Sequence, residues 1–402
     1  MSTIGGANII QDGLVFGYDA DDRSTRYYPG EPTTNMVTNT DLTTWSENDT
    51  VLTENGMVNI DHHSFMSYKL TTDTGNSTHR LYAGQGAILS TSTNYNISLY
   101  AKANGYNYIT FGMTDNTYYQ TQTTFNLLNG DVELDYTSSG GTIIDSSSNY
   151  IGKGWYRLNL TISLSTYITA NYFLMMVLDS VKNPPQTSWT SDGVSGILVS
   201  SPQIELKSHT TPYTPTSRSS TQGLLDLTGN NTIDLSNVSF DSTAHPELDG
   251  VDDFIDTSYS SGNILTPTYE SWIYDTKNNA SYRSIIQINS ASDDALYISP
   301  TNYLYFYPET ISSLTVSSNQ WVYVAATYDG TNITYCVNGE FQTFSTGGTH
   351  ITDVDYIRIG GHSTGDSERW KGQVPIVRVH NRPLSQVEML NNFNAHRNRF
   401  GI

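Results

Sequence analysis

The chain has 402 residues, of which only 14% are charged, and its formal net charge is −20 at pH 7. This length allows two or three domains that each bury their own core. The acidic balance disfavours binding to nucleic acid and to anionic membranes, because both present negative charge, but it is compatible with cation binding.

Residue usage limits the fold class further. Ser, Thr, Asn, Gly and 29 Tyr are abundant, and this mixture favours strands and turns over helices. The single cysteine, Cys336, excludes an internal disulfide framework. No apolar run approaches the roughly 20 residues of a membrane helix, and residues 1–15 lack the pattern of a secretory signal. We therefore predict an all-β protein that is made in the cytoplasm and delivered outside by another route.

Two short segments open the chain. Residues 1–12 contain glycines and few apolar side chains, and they predict an N-terminal arm that becomes ordered by pairing with a partner. Residues 13–19 then predict a strand, because Leu14, Phe16 and Tyr18 share one face at period two.

A second domain is predicted between two linkers. The segments 32–35 and 215–218 are rich in Pro, Thr and Ser, which is typical of linkers. Between them, short alternating runs with turn signals predict a β-sandwich, and residues 156–162 are the clearest such run. We therefore expect an inserted domain that brings residues 33 and 218 close together.

Three carboxylates surround a glycine in the segment 246–257. Gly250 offers a turn with positive φ, and Asp249, Asp252 and Asp253 lie beside it in the sequence. Clustered carboxylates together with backbone carbonyls can bind a hard cation such as calcium. The alternative is structural, with Asp249 holding the corner and Asp252 capping nearby backbone amides.

The last part of the chain predicts a hairpin and a helix. Asp329-Gly330 separates two alternating runs, which is a strong hairpin signal. A helix is predicted over residues 383–394, with Ser385 and Glu388 forming a capping box. Its apolar stripe is expected to contain Val387, Leu390 and Phe393.

Several segments together resemble laminin-G-like, concanavalin A-like jelly rolls, which are frequent in bacteriophage virion proteins. The likeness rests on Gly-Leu-Val-Phe-Gly-Tyr-Asp at 13–19, Leu-Asp-Gly-x-x-Asp-Phe-Ile at 248–255 and Trp-x-x-Val-Ala-x-Thr-Tyr-Asp-Gly at 321–330. The region between the linkers is similar to jelly rolls of the carbohydrate-binding-module type. That similarity rests on Ile-Ser-Leu-Tyr-Ala-Lys-Ala at 97–103 and on the closing run 201–216.

This resemblance implies an all-β fold of two jelly-roll β-sandwiches, the second inserted into the first, with one short C-terminal helix. An N-terminal arm would precede a discontinuous laminin-G-like sandwich, which would enclose the carbohydrate-binding-type jelly roll. The expected boundaries are 1–12 for the arm, 13–33 with 219–402 for the laminin-G-like sandwich, and 34–218 for the insert.

The resemblance also implies glycan recognition, because related jelly rolls bind sugars on exposed aromatic platforms flanked by amides and carboxylates. In the insert the candidate rings are Trp45, Tyr118, Tyr119 and Trp189. In the flanking domain they are Trp370 and, similarly placed, Tyr303, Tyr305 and Tyr307. The alternative is that these rings fill sandwich cores or subunit contacts. Many laminin-G-like domains carry a calcium site, so the resemblance adds support to the cation interpretation of Asp249, Asp252 and Asp253 beside the structural one.

The function implied is that of a non-enzymatic virion surface protein, such as a capsid decoration, a head fibre or a tail-associated adhesin. It would bind host-surface glycans weakly and in many copies. Other virion proteins would contact the N-terminal arm, and a homo-oligomer, with a trimer favoured, is expected. Neither nucleic acid nor a membrane is an expected partner.

Two alternative functions remain at this point. The first is a purely structural cement or fibre protein that contacts neighbouring virion subunits. The second is a glycan-degrading spike, which would need paired carboxylates. Ser138 stands where the Glu-x-Asp-x-x-Glu motif of related hydrolases, matched here by Glu133 and Asp135, has its second glutamate.

Overall fold

The computed structural model describes residues 9–20, 30–37, 39–60, 63–85, 89–91, 93–114, 120–138, 141–164, 171–240, 245–260, 263–276, 281–288, 295–307, 311–346, 352–353, 356–361 and 368–402. The chain divides into two compact units. The outer unit consists of Met1–Pro32 with Arg218–Ile402, and the inserted unit is Thr33–Ser217.

The described residues are mostly strands. The outer unit begins with β1 (Leu14–Asp19). The strands that follow along the inserted unit are β2 (Thr33–Thr34), β3 (Ser46–Asn48), β4 (Thr50–Ile60), β5 (His63–Thr72), β6 (Gly75–Ser77), β7 (Arg80–Gln85), β8 (Asn94–Asn104), β9 (Tyr108–Thr114), β10 (Gln120–Asn126), β11 (Val132–Thr137), β12 (Gly141–Gly152), β13 (Trp155–Leu164), β14 (Asn171–Leu178), β15 (Trp189–Ser191), β16 (Gly196–Glu205) and β17 (Ser217–Arg218).

The outer unit then resumes. Its further elements are β18 (Ile233–Asp234), β19 (Ser239–Phe240), β20 (Pro246–Asp249), β21 (Ile255–Thr257), β22 (Asn263–Ile264), β23 (Thr268–Asp275), β24 (Arg283–Gln287), β25 (Ala295–Ile298), β26 (Leu304–Phe306), β27 (Trp321–Tyr328), β28 (Asn332–Val337), β29 (Glu340–Ser345), β30 (Thr352–Asp353), β31 (Arg358–Ile359), β32 (Lys371–His380) and the helix α1 (Gln386–His396). Short 3₁₀ turns occur at Leu42–Thr44 and Ser220–Gln222. The predicted all-β fold class is confirmed.

Two six-stranded sheets form the inserted unit. Their strand orders are β11-β10-β9-β14-β7-β3 for sheet I and β12-β13-β8-β16-β5-β4 for sheet II. Period-two alternation sends Phe111 of sheet I and both Leu158 and Leu160 of sheet II into one apolar core. The alternation predicted over residues 156–162 is therefore confirmed.

Two sheets enclose the core of the outer unit. Sheet III has eight strands, in the order β19-β20-β32-β23-β27-β28-β29 with β1 paired to β32, and sheet IV has six, in the order β18-β21-β31-β24-β25-β26. Tyr269 of sheet III and Leu296 of sheet IV belong to the core between them. The predicted hairpin is confirmed, since β27 pairs with β28 and Tyr328 lies opposite Ile333.

Contacts within the outer unit join residues that the insert separates in the chain. The Gly17 N–H donates to the Asp226 carboxylate at 3.0 Å, and the Leu227 N–H donates to the Gly17 carbonyl at 2.7 Å. Inside the inserted unit, the Asn35 N–H donates to the Thr216 carbonyl at 2.6 Å. Strands β2 and β17, which contain residues 33 and 218, also pair with each other. The two ends of the inserted unit therefore lie side by side.

The capping box of α1 forms as predicted. The Ser385 Oγ accepts from the Glu388 N–H at 3.3 Å, and the Glu388 carboxylate accepts from the Ser385 N–H at 2.8 Å. The predicted apolar stripe is wrong at two positions, because Val387 is 77% and Leu390 39% exposed. The helix instead buries Met389, Asn392, Phe393 and His396. Two of these residues, Asn392 and His396, are polar and bind buried groups in or next to sheet III. A periodic pattern of apolar residues in the sequence does not reveal such contacts.

Residues 9–12 contact their own chain. The Ile10 N–H donates to Asn392 Oδ1 at 2.8 Å, and Arg382 Nε lies 2.8 Å from the Asp12 carboxylate. These contacts order the end of the predicted arm without a partner. Residues 1–8 lie outside the described residues, so a partner contact through the arm stays a prediction. No helix in the described part of the chain is long and apolar enough to cross a membrane.

Candidate functional site

Sheet IV presents tyrosines on the face that points away from the core. In β25 the side chains of Leu296 and Ile298 enter the core, and so Tyr297 between them points outward. Tyr305 lies outward in β26 for the same reason, directly opposite Tyr297. The alternation of these two short strands therefore places two tyrosines side by side on the outer surface of the sheet.

Two further rings extend this cluster. The ring of Tyr282 lies 5.9 Å from those of Tyr297 and Tyr305, centroid to centroid, and the ring of Tyr307 lies 6.0 Å from that of Tyr305. Tyr307 is 38% exposed and Tyr282 is half-buried, whereas the central pair is buried. The cluster can thus offer ring surface to a ligand at its margin.

A buried hydroxyl adjoins the tyrosines. Ser284 lies opposite Tyr297 in the sheet and is fully buried. Its Oγ has no hydrogen-bond partner in the described structure. A buried hydroxyl without a partner costs about 1–3 kcal/mol, which a ligand or water that bonds to it would recover.

Charged groups occupy the other end of the same face. Arg358 donates to both carboxylate oxygens of Asp256, at 2.7 and 3.0 Å, and its guanidinium carbon lies 3.9 Å from the ring centroid of Phe254. The Tyr356 hydroxyl donates to the same carboxylate at 2.7 Å. Burial and the Asp256 carboxylate raise the pKa of Tyr356, so this hydroxyl stays protonated at neutral pH.

We name this surface the polar–aromatic face; it comprises Asp256, Tyr282, Ser284, Tyr297, Tyr305, Tyr307, Tyr356 and Arg358. Aromatic rings with a few oriented polar groups are typical of small-molecule binding sites. Of these residues, sequence analysis named Tyr305 and Tyr307. The outward positions in and next to β24 and β25 follow from the alternation of side chains along these strands. Strands β21 and β31 lie beside them only because of the strand order of sheet IV, which the sequence does not show.

The three aspartates predicted as cation ligands do lie together. Oxygen atoms of Asp249, Asp252 and Asp253 are all within 4.8 Å of one another. Gly250 has the predicted positive φ, +78°, and a side chain there would meet Lys371 Cβ at 2.8 Å. The turn between the two short strands thus collects the carboxylates at one corner.

Hydrogen bonds show a structural role for this corner as well. Asp249 Oδ1 accepts from the N–H groups of Val251 and Asp252, at 2.7 and 3.3 Å, as expected of a residue that holds the turn. The carboxylate that accepts the Asp249 N–H, at 2.9 Å, belongs to Asp253 rather than to Asp252. Burial raises the pKa of Asp253, and the charges of Asp249 and Asp252 raise it further. An all-oxygen donor set under like-charge repulsion fits a hard cation.

The predicted tryptophan platform needs correction. Trp45, Trp189 and Trp370 are only 5%, 5% and 0% exposed. Trp45 packs on Phe173 at 5.4 Å, and its indole N–H donates to the Asn39 carbonyl at 2.9 Å. The indole N–H of Trp45 is therefore already bonded to a neighbour in the sequence, Asn39, and the face of its ring packs inside the unit. The other insert candidates, Tyr118 and Tyr119, lie outside the described residues.

Comparison with known proteins addresses the outer unit. Residues 249–389 match the family model described as the concanavalin A-like lectin/glucanases superfamily. The matched residues all lie in the outer unit, which is therefore similar to the lectin-like domains of this superfamily. The matched residues include the aspartate corner and every member of the polar–aromatic face. No curated protein matches the chain.

Solved structures of similar architecture share little sequence with the chain. They include domain 4 of the arabinanase AbnA from Geobacillus stearothermophilus (13% identity, TM-score 0.34, 42% of this chain, 91% of that chain), the receptor binding domain of botulinum neurotoxin D (18%, 0.35, 44%, 51%) and the CBM40 of the Ruminococcus gnavus IT-sialidase (19%, 0.27, 31%, 80%). The chain thus spans about half of the toxin domain's length. At this identity and TM-score the likenesses do not identify a function.

Proposed function

We propose that the protein is a non-enzymatic glycan-binding protein displayed on a bacteriophage virion as a capsid decoration, head fibre or tail-associated adhesin. The polar–aromatic face, which lies within the lectin-like domain, carries this proposal. Its rings suit the apolar faces of a sugar, while Ser284 Oγ offers a hydroxyl without a partner in the described structure. Weak single contacts would gain strength from a homo-oligomer, a trimer being favoured, and from many copies per particle.

A second candidate is a purely structural cement or fibre protein. The burial of Trp45, Trp189 and Trp370 favours it, because the most sugar-competent rings are used in packing. The exposed Val387 and Leu390 of α1 could serve as a contact for a neighbouring subunit. This candidate predicts a folded protein without affinity for glycans.

Glycan binding is tested by replacing the accessible rings. We expect the intact protein to bind some glycans on an array and to bind host cells, and the double variant Tyr282→Ala/Tyr307→Ala to bind at least about tenfold more weakly, the loss of roughly 1.4 kcal/mol. Tyr150→Ala is the matched control, since Tyr150 is a 58% exposed tyrosine of the inserted unit.

An unchanged profile in the double variant would refute the polar–aromatic face as the glycan site. A folded, oligomeric protein that binds nothing would favour the structural candidate. Labelling of purified phage particles with an antibody to the protein tests the virion location separately, and unlabelled particles would exclude it.

We further propose that Asp249, Asp252 and Asp253 hold a calcium ion. Calcium that binds the folded chain but not the unfolded chain would raise the free energy of unfolding. The increase is about 2.7 kcal/mol when the free calcium concentration is 100 times the dissociation constant. Thermal unfolding with calcium and with EDTA measures this shift. Asp252→Asn should abolish the calcium-dependent shift, because the exposed Asp252 carboxylate contributes charge without holding the turn. The control is Asp73→Asn at another exposed aspartate, and this variant should keep the shift. Equal melting temperatures with calcium and EDTA would contradict the proposal.

A further inference from the structure

The helix α1 leaves one of its sides uncovered. Val387 is 77% and Leu390 39% exposed, and neither belongs to the apolar core that α1 helps to close. Asn394 and the C-cap residue Arg397, both exposed, follow at spacings of four and three residues. The spacing of three, four and three places all four residues on one side of the helix. We name them the α1 stripe: Val387, Leu390, Asn394 and Arg397.

A cavity adjoins the N-terminal end of the α1 stripe. Its volume is about 330 Å³, and it lies between the first turn of α1 and the hairpin of β27 and β28. The buried side chains of Leu384 and Met389 line it, while Asp329 and Asn332 at its rim are accessible to solvent. An exposed apolar stripe next to a cavity with apolar walls is typical of a surface that contacts another protein.

The surface carries opposite charges at its two ends. At the cavity, the Asp329 carboxylate accepts from the N–H groups of Asn332 and Thr331, at 2.7 and 2.8 Å. The bond from Asn332 is the main cause of a lowered pKa at Asp329, so this carboxylate is ionised at neutral pH. At the other end, Arg397 Nε donates to the Ile402 carbonyl at 2.9 Å, which leaves its two Nη groups for another acceptor. The stripe between these ends is uncharged.

We propose that α1 is the contact between two copies of this chain, whose α1 stripes pack antiparallel around a twofold axis. Val387 and Leu390 of each copy would pack on the stripe of the other, and Asp329 would pair with the partner's Arg397. This contact rests on the proposed function, because it supplies the interface of the homo-oligomer named there.

The surface is complementary to itself. In a twofold contact the same surface meets itself, so a negative end and a positive end match only when the two helices run antiparallel. Antiparallel packing also places the opposite ends of the two helix dipoles together. Two copies that each carry a net charge of −20 repel each other, and an uncharged stripe is a surface on which they approach at low electrostatic cost.

The contact is small. At 1.5 Å per residue α1 is only about 16 Å long, so it buries less than the roughly 800 Å² per chain of a standard interface. We therefore expect weak association, with a dissociation constant in the micromolar range. A twofold contact joins copies in pairs, so the chain forms dimers, and a trimer that also used this contact would form hexamers.

Analytical ultracentrifugation of the full chain across micromolar concentrations tests the contact. We expect pairs in the native chain and an at least tenfold weaker association in Val387→Glu, because two carboxylates would face each other across the apolar part of the contact. Val387 is the second residue of α1, where a carboxylate is favourable, so the melting temperature should not fall. The matched control is Val194→Glu, at a 71% exposed valine of the inserted unit, and it should associate like the native chain.

A double-mutant cycle tests the antiparallel arrangement. Asp329→Asn removes the charge but keeps an oxygen that accepts the two N–H groups of the turn. Arg397→Gln removes the opposite charge. We expect each substitution to weaken association about threefold or more, and the two together to weaken it no further than one alone, because the pair is already broken.

A native chain that stays monomeric at these concentrations would overturn the proposal. An oligomer that associates equally well in Val387→Glu would also overturn it, and would leave the homo-oligomer of the proposed function with an interface elsewhere. Fully additive effects of Asp329→Asn and Arg397→Gln would refute the antiparallel pairing. Failure of glycan binding is distinguishable from all of these results, because it appears on the glycan array and leaves the mass of the particle in solution unchanged.

Discussion

Replacing Arg283 by Met is expected to destabilise the protein by about 3–5 kcal/mol, because it leaves a buried carboxylate unpaired. The Arg283 Nε lies 3.0 Å from Asp275 Oδ2, and the two side chains are 0% and 1% exposed. Arg283 also donates to Asn302 Oδ1 at 2.7 Å. Burial lowers the pKa of Arg283, and the Asp275 carboxylate opposes this effect, so the guanidinium remains charged at neutral pH.

Denaturant unfolding monitored by circular dichroism measures the loss. The matched control is Lys182→Met, which breaks the more exposed pair between Lys182 and Asp179, 2.8 Å apart, and should cost less than about 1 kcal/mol. The double variant Arg283→Met/Asp275→Leu should recover part of the stability, because no unpaired charge remains. A cost for Arg283→Met as small as that of the control would show that the pair is not buried in solution.

The same substitution should weaken glycan binding. Arg283 is the first residue of β24. The residues on either side of it in the chain, Tyr282 and Ser284, belong to the polar–aromatic face. We expect its loss to disorder this end of β24 and to reduce array signals together with stability. Retained binding in a destabilised Arg283→Met protein would separate the ion pair from the site.

Replacing Glu270 by Leu is the second substitution with a large expected effect, again about 3–5 kcal/mol, because it removes the acceptor of several buried donors. Glu270 is fully buried on the side of sheet III that α1 covers. Its carboxylate accepts from Asn392 Nδ2 at 2.8 and 3.1 Å, lies 3.1 Å from His380 Nε2 and accepts from the Tyr323 hydroxyl. The exposed Glu340→Leu on β29 is the control and should stay within about 0.5 kcal/mol.

Amide hydrogen exchange should show which segments of the Glu270→Leu variant are destabilised. Asn392 connects Glu270 to the Ile10 N–H, so α1 and residues 9–12 should lose protection before the sheets do. Uniform loss of protection across the outer unit would contradict this order.

Acid should act on the same carboxylate. Burial alone would raise the pKa of Glu270, but hydrogen bonding to His380 and the charge of Arg378 outweigh burial and lower it. A folded-state pKa below the unfolded value of about 4.3 means that this stabilisation is present above pH 4.3 and is lost as the pH falls through the lower, folded value. Stability measured from pH 6 downwards should thus fall less steeply in Glu270→Gln than in the native protein.

The sequence by itself determined much of the fold. Period-two alternation predicted the buried faces of the strands, as in residues 156–162, and Asp329-Gly330 predicted the central hairpin. Ser385 and Glu388 predicted where the helix begins, and Gly250 predicted the turn that collects three aspartates. These signals are local, because each depends on residues that are a few positions apart and on the geometry of one turn or strand.

Only the tertiary structure decided which of these residues can meet a ligand. Trp45 and Trp370 stand in polar sequence surroundings, yet packing covers their rings, and α1 turns Asn392 rather than Leu390 towards sheet III. The polar–aromatic face needs β21, β31, β24, β25 and β26 side by side, an order set largely by long-range pairing. Alternation fixes the side of a strand on which a residue lies, but what covers that side depends on distant parts of the chain.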